Sequence, residues 1–328
     1  MMKSVVERCL AASDRGRDWA LRYLQDDGSF AGSERTVAGP YKAPQSLLIC
    51  GNVLQADRAL RYLAANFFVD GNFNTQAADQ GDFANYRNAW LCWGAHNLGA
   101  YSYAAGAADY LQSQQQAELG GLWLRPRGAG GVLEWGTTAL GIVALVACGR
   151  LAAATKGAEF LTRVLDLQPQ AEARLCLRTT PAGELLSDPE APDYAAVQLQ
   201  EPAQIYWYFG VAMAALGKLY AATGQRRWLD TALRVFHLTT ISHADVYRAL
   251  TSAKVGWGAG VLYQLTGERR FAEVASGIAD YVVGEHTAEG LWLRKPQFQR
   301  VADQPFVASL DTTLERCLWL REIARALA

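Results

Sequence analysis

Two kinds of apolar pattern alternate along the 328-residue chain. Segments near 4–24, 53–67, 104–117, 153–167, 226–240 and 270–285 carry their apolar residues on one stripe of helical period. Segments near 43–50, 84–101, 132–148, 202–221, 248–265 and 308–326 are apolar on nearly all sides. A helix with a single apolar stripe lies outside, and one that is hydrophobic all round is buried. The run Val211-Ala212-Met213-Ala214-Ala215-Leu216 therefore belongs to an inner layer. Six such pairs predict an all-α (α/α)6 barrel of twelve helices in two concentric rings, spanning 1–328 as one domain.

Glycines punctuate the pattern. Leu219-Tyr220-Ala221-Ala222-Thr223-Gly224-Gln225-Arg226-Arg227-Trp228 matches Leu262-Tyr263-Gln264-Leu265-Thr266-Gly267-Glu268-Arg269-Arg270-Phe271 at an offset of 43 residues, the mark of a structural repeat. In both, an apolar helix ends on a glycine suited to a left-handed C-terminal position, and an amphipathic helix follows at once. Looser copies of that junction fall at Cys50-Gly51-Asn52, around Gly106, and at Cys148-Gly149-Arg150. A second mark, glycine followed by an aromatic, recurs after the outer helices: Asp27-Gly28-Ser29-Phe30, Asp70-Gly71-Asn72-Phe73, Gly120-Gly121-Leu122-Trp123 and Glu289-Gly290-Leu291-Trp292, with a degenerate copy at Gly183-Glu184-Leu185-Leu186. These are expected to form turns across one rim, bordering the mouth of a central cavity. The longest crossing, 168–200, contains Pro169, Pro181, Pro189 and Pro192 and is expected to cover that mouth.

Gln25-Asp26-Asp27-Gly28-Ser29-Phe30 resembles the glutamine-to-tryptophan repeat of squalene-hopene and related terpenoid cyclases, with Phe30 in the tryptophan position. Gly39-Pro40-Tyr41-Lys42-Ala43-Pro44-Gln45 and Gly130-Gly131-Val132-Leu133-Glu134-Trp135-Gly136 are similar to the starts of inner helices in those cyclases and in protein prenyltransferase β-subunits. The junctions at 223–228 and 266–271 suit the (α/α)6 barrels of sugar epimerases and unsaturated-glycan hydrolases equally well. The resemblance thus implies an α/α toroid. The acid string of the proton-initiated cyclases, the Asp-rich magnesium motif of diphosphate-ionising synthases and the zinc set of the prenyltransferases are not visible, so neither a metal nor another cofactor is expected.

Charge narrows the partners. Lys plus Arg number 31 against 32 Asp plus Glu, for a net charge of −1, so the basic excess of a nucleic-acid binder is missing. No run reaches the ~20 apolar residues that span a bilayer, and the first residues lack the apolar core of a signal peptide, so no membrane span and a cytoplasmic location are expected. Six scattered cysteines read as reduced core residues.

Candidate chemistry gathers where inner helices begin with polar residues: Tyr41-Lys42, Asp82, Glu134, Glu201, Lys254 and Asp311. Asp82, Tyr86, Trp90, Trp93 and Asn97 share one helical stripe and would wall a pocket. Glu134 beside Trp135 would have its pKa raised by desolvation and serve as general acid or base. Glu201, Gln204 and Tyr208 make a second polar stripe, and Glu134 with Glu201 could form the carboxylate pair that glycosidic chemistry needs. Lys254 and Trp257 open the fifth inner helix, and Asp311, Thr312 and Glu315 the sixth. Each has a plain structural account as well: the carboxylates as helix caps, the tryptophans as core, and Lys254 as half of an ion pair. The catalytic set expected is Glu134, Tyr86, Asp82, Glu201 and Lys254, with Tyr41, Trp90, Trp93, Trp135, Gln204, Trp207, Tyr208, Trp257 and Asp311 binding substrate.

Three functions fit these residues. The first is a cofactor-independent cyclase or isomerase, such as a pericyclase, folding a small hydrophobic polyene of terpenoid or polyketide origin. The second is a sugar epimerase or glycoside hydrolase. The third is a scaffold binding lipid or protein without catalysis.

Overall fold

Every segment predicted as apolar folds into an inner helix, and every single-stripe segment into an outer one. The computed structural model describes residues 4–74, 81–127, 131–187, 195–249 and 251–328. Its twelve α-helices are α1 (Val5–Leu21), α2 (Ala43–Ile49), α3 (Val53–Phe67), α4 (Ala84–Asn97), α5 (Tyr101–Ser113), α6 (Trp135–Ala147), α7 (Leu151–Asp166), α8 (Trp207–Thr223), α9 (Arg226–Ile241), α10 (Ser252–Thr266), α11 (Arg269–Gly284) and α12 (Phe306–Leu327). The even-numbered helices pack in succession from α2 to α12, and α12 returns onto α2 to close the ring. Outside it, α3, α5, α7, α9 and α11 each back the inner helix that precedes them, while α1 backs α12. No helix among the described residues is long and apolar enough to cross a membrane.

Local chemistry sets the boundaries. Helix α8 starts at Trp207 rather than 202, because Pro202 and a left-handed Ala203 (φ 56°) break the pattern ahead of it. The turn between α4 and α5 falls at Gly99 (φ 76°), whereas Gly106, the junction expected from sequence, lies inside α5. That glycine belongs to the other repeating mark. At Gly28 and Gly71 the backbone is left-handed (φ 91° and 84°), and an added Cβ would sit 2.2 Å from the Arg58 carbonyl oxygen on α3 and 2.3 Å from that of Gly106 on α5. Gly120 approaches the Lys156 carbonyl on α7 in the same way. The glycine-aromatic mark is thus a stitch: the turn leaving one outer helix lies against the backbone of the next. Its aromatics, Phe30, Phe73, Trp123 and Trp292, are buried beneath the turn.

The 168–200 crossing builds two small antiparallel ribbons. Strand β1 (Leu133–Glu134) pairs with β3 (Arg178–Thr179), Leu133 opposite Thr179, and β2 (Arg174–Cys176) pairs with β4 (Ala196–Gln198), Leu175 opposite Val197. Residues 188–194 of this crossing lie outside the described residues.

The lumen is not a channel. Trp90 and Trp93 of α4, Trp257 of α10 and Trp319 of α12 meet on the axis, with ring centroids 5.3 Å apart for Trp90 and Trp319, 4.4 Å for Trp257 and Trp319, and 6.0 Å for Trp93 and Trp257. Burying an aromatic side chain removes about 150–250 Å² from water, worth about 4–6 kcal/mol as an upper figure at ~25 cal/mol per Å². This tryptophan plug separates two cavities, one at each end of the inner ring.

Candidate active site

The larger cavity, about 850 Å³, opens where the inner helices begin. Tyr41 and Lys42 reach it from a 3-10 turn (Pro40–Lys42) leading into α2, Tyr86 and Arg87 from the first turn of α4, Trp207 from the start of α8 and Lys254 from the first turn of α10. Helix α12 supplies Asp311, Glu315 and Arg316, and connecting segments add Gln204, Asp245, Arg248, Arg294 and Lys295. Two lining residues, Phe83 (φ 66°) and Ala203, hold left-handed backbone that costs a non-glycine residue of order 1–3 kcal/mol, a strain that concentrates at functional sites.

Glu315 is the hub. One of its carboxylate oxygens accepts from Lys254 Nζ at 2.5 Å and from Arg316 at 2.8 Å, and the other accepts from Lys42 Nζ. Lys42 also lies 2.8 Å from Asp311, which in turn accepts from Arg294. The lysines rest on aromatic faces, Lys42 Nζ 5.0 Å from the Tyr41 ring centre and Lys254 Nζ 5.2 Å from that of Trp207. Only 2% of the Lys42 side chain is exposed, so these charges have left water and are held by one another.

That exchange sets their protonation. Burial opposes the charge on Glu315, but Lys254, Lys42 and Arg316 overcome it and hold the carboxyl well below the usual carboxylate range. Burial likewise opposes the charge on Lys42, and Asp311 and Glu315 outweigh it, so its pKa is raised. Lys254 goes the other way. Burial, with Lys42 and Arg316 nearby, brings it down to about 8 in spite of Glu315. Burial pushes the Tyr86 hydroxyl well above its ordinary value, so at neutral pH it is a hydrogen-bond donor.

Of the catalytic and substrate-binding set expected from sequence, the structure gathers six at this cavity, Lys254, Tyr41, Tyr86, Gln204, Trp207 and Asp311, along with Lys42, Thr312 and Glu315 from the same helix starts. The others lie elsewhere, for physical reasons. Glu134 is wholly buried as the N-cap of α6, its carboxylate accepting from the Gly136 N–H at 3.0 Å and the Thr137 N–H at 2.5 Å. Trp135 points outward and donates to the Leu161 carbonyl, and Tyr208 is buried with its hydroxyl on Glu134. Glu201 is exposed, so Glu134 and Glu201 do not form a pair across the cavity. Asp82 is held by Arg125 at 2.5 Å, outside the lining.

The Asp82-to-Asn97 stripe cannot wall one pocket: Asp82 precedes the helix, and the eleven helical steps from Tyr86 to Asn97 alone rise about 16 Å. Of that stripe Tyr86 faces the larger cavity, Trp90 sits in the plug, and Trp93 and Asn97 line the second cavity. Trp257 is also plug, not wall. Among the described residues of 168–200, none lines the larger cavity. No cluster of His, Cys, Asp and Glu among the described residues is arranged to hold a metal ion.

Sequence reasoning missed Arg248 and Arg294 and the central position of Glu315. A signal for Arg294 was present: Gly-Leu-Trp-Leu-Arg occurs twice, at 121–125 and 290–294. In both copies the arginine reaches a carboxylate at the start of an inner helix, Arg125 to Asp82 and Arg294 to Asp311.

No protein-family model matches this sequence, and no curated protein matches it by sequence. Solved structures do match in shape. A D-mannose isomerase superposes with a TM-score of 0.71 at 12% identity, covering 99% of each chain. An α-1,6-mannanase of Salegentibacter sp. HEL1_6, in complex with α-1,6-mannotetrose, gives 0.67 at 12% identity over 97% of this chain and 99% of its own. An unsaturated glucuronyl hydrolase specific for heparin gives 0.67 at 11% identity over 99% and 96%. The shared feature is the (α/α)6 toroid, and the resemblance to terpenoid cyclases goes no further than that architecture.

Proposed function

We propose that this chain is an enzyme that moves a proton on a sugar-derived substrate, an isomerase or epimerase working without a bound cofactor. The observation that carries the reading is Lys254: a buried lysine with its pKa brought down to about 8, at the wall of a closed-ended cavity, with Glu315 holding its ammonium form. A base tuned close to working pH suits proton abstraction next to a carbonyl. Neutral Lys254 takes the proton from the hydroxyl-bearing carbon next to the carbonyl, and the electron pair moves through the new carbon–carbon double bond onto the carbonyl oxygen; the substrate's hydroxyl proton passes to that oxygen, and the ammonium returns the first proton to the former carbonyl carbon as the other oxygen becomes the new carbonyl. Tyr86 donates a hydrogen bond to that oxygen, and Lys42 stabilises its developing charge from a fixed position.

The toroids that superpose on it act, by their names, on sugars, and this favours a carbohydrate substrate. Glycoside hydrolysis fits less well, because it needs one carboxylic acid kept protonated, and Glu315 is driven the opposite way by its cations. An apolar polyene would have to strip water from several charged side chains of the wall without replacing those contacts.

The test is proton exchange. The full chain incubated with aldoses and ketoses in D2O is expected to place deuterium at the carbon next to the carbonyl, read by NMR. The rate should rise with pH to a plateau above about 8, because the neutral amine is the active form. Lys254→Met should lower the rate by about 10²–10⁴-fold. Full exchange in that variant removes Lys254 from the chemistry, and turnover of apolar polyenes with no sugar exchange overturns the reading.

A further inference from the structure

The charge of the cavity wall does not match that of the chain. Overall the protein carries a net charge of −1, yet the described residues lining the larger cavity comprise seven lysines and arginines against three carboxylates. Most of this is internal: Lys295 reaches outward to Glu285 at 2.7 Å, Arg87 donates to Asn74 at 2.7 Å, and Asp311 and Glu315 are shared among Lys42, Lys254, Arg294 and Arg316. Arg248 is exposed at the mouth, its backbone N–H bound to the Asp245 carbonyl, and its guanidinium has no hydrogen-bonding or ionic partner among the described residues. The inner helices α4, α8 and α10 also begin at this cavity, each bringing a partial positive charge of roughly +0.5 at its N-terminus. A proton-transfer site acting on a neutral sugar needs one or two cations for an oxyanion, not a surplus that extends to the rim.

We infer that the substrate carries a permanent negative charge, a carboxylate or phosphate on a sugar, held between Arg248 at the mouth and Arg294 deeper in the wall. Both residues line the same cavity as Lys254; the planar guanidinium fork of Arg248 suits the paired oxygens of either group, and Arg294, whose Nε and Nη2 hold Thr312 and Asp311, offers its remaining Nη1. A neutral sugar would leave the Arg248 guanidinium facing water or an exchangeable ion. An anionic one replaces that ion with a fixed partner beside the half-buried Arg294, where a charge pair is worth more than in bulk. Burial is the main reason that the pKa of Lys254 is lowered, and the neighbouring cations Lys42 and Arg316 add to it. The inference rests on the sugar-directed reading of this cavity and adds to it the class of sugar.

The experiment is calorimetric titration of the full chain with a matched trio: a neutral hexose, the corresponding hexuronate and the corresponding hexose 6-phosphate. It is run from about 50 mM to about 300 mM salt, where the screening length falls from well over 10 Å to below it. At least one anionic member should bind tenfold or more tighter than the neutral hexose, with the margin narrowing as salt rises. The tighter of the two anions identifies the group as carboxylate or phosphate. Arg248→Gln should reduce the anion's affinity by roughly three- to tenfold, corresponding to about 0.7–1.4 kcal/mol, and the neutral hexose's by less. Equal binding of all three sugars overturns the inference and leaves the proton-transfer reading standing. Failure of all three, with apolar compounds binding instead, overturns both.

Discussion

Glu134 and Glu315 occupy comparable places in the toroid, one at the start of α6 and the other one turn further along α12 than Asp311, and both are buried. Their surroundings drive them apart. Around Glu134 the partners are neutral, two backbone N–H groups and the Tyr208 hydroxyl, and burial raises its pKa even though those bonds pull the other way. Around Glu315 the partners are cations, which overcome the same burial and keep it ionised. Burial alone therefore does not make a working acid. The desolvated glutamate that looked catalytic is sealed behind a helix terminus, and the one facing the cavity serves to hold charges in place.

Three measurements would break or sharpen this contrast. Removing the Glu315 charge should have the largest effect: Glu315→Gln leaves buried cations without their anion and should cost about 3–5 kcal/mol in stability, read by chemical denaturation. A loss below 1 kcal/mol would show that Lys42, Lys254 and Arg316 do not depend on it. Next, Glu134→Ala removes an N-cap and should cost about 1–2 kcal/mol while leaving the rise of activity through pH 8 unchanged. A shifted pH profile in that variant would return Glu134 to the chemistry.

The smallest effect is the slope of stability against pH, and the two residues should change it in opposite senses. Glu134 has a raised pKa when folded, so its contribution is full below the ordinary value of 4.5 and is lost as pH rises through the folded value. For Glu315 the folded pKa is lowered, so its contribution is full above 4.5 and is lost as pH falls toward the folded value. Urea unfolding of the two glutamine variants from about pH 3 to about pH 7 should show Glu134→Gln losing less stability than the parent as pH rises. Glu315→Gln should lose less as pH falls. Slopes of the same sign would mean that the two surroundings are not distinct.

The rings of the toroid were legible because they depend on local pattern. A single apolar stripe or a wholly apolar run is written into consecutive residues, and Gly224 and Gly267 mark the repeat openly. The cavity was legible only in part. Lys254, Tyr86, Tyr41 and Asp311 could be found because they interrupt the starts of apolar helices. Glu134 misled because adjacency to Trp135 says nothing of direction, and that indole turns outward to α7. Glu315 was passed over because what makes it central is three cations, two of them brought from α10 and from the turn before α2, and such pairings appear only once the ring has closed. Trp90, Trp93 and Trp257 suggested a wall by composition, but their depth along the helices, not their type, puts them in the plug and beyond it.

The tryptophan plug governs traffic as well as packing. With the lumen stopped at mid-depth by stacked indoles, whatever enters the larger cavity must leave by the same door. A long polymer cannot be fed through from one side to the other, so only a free end or a small molecule reaches Lys254.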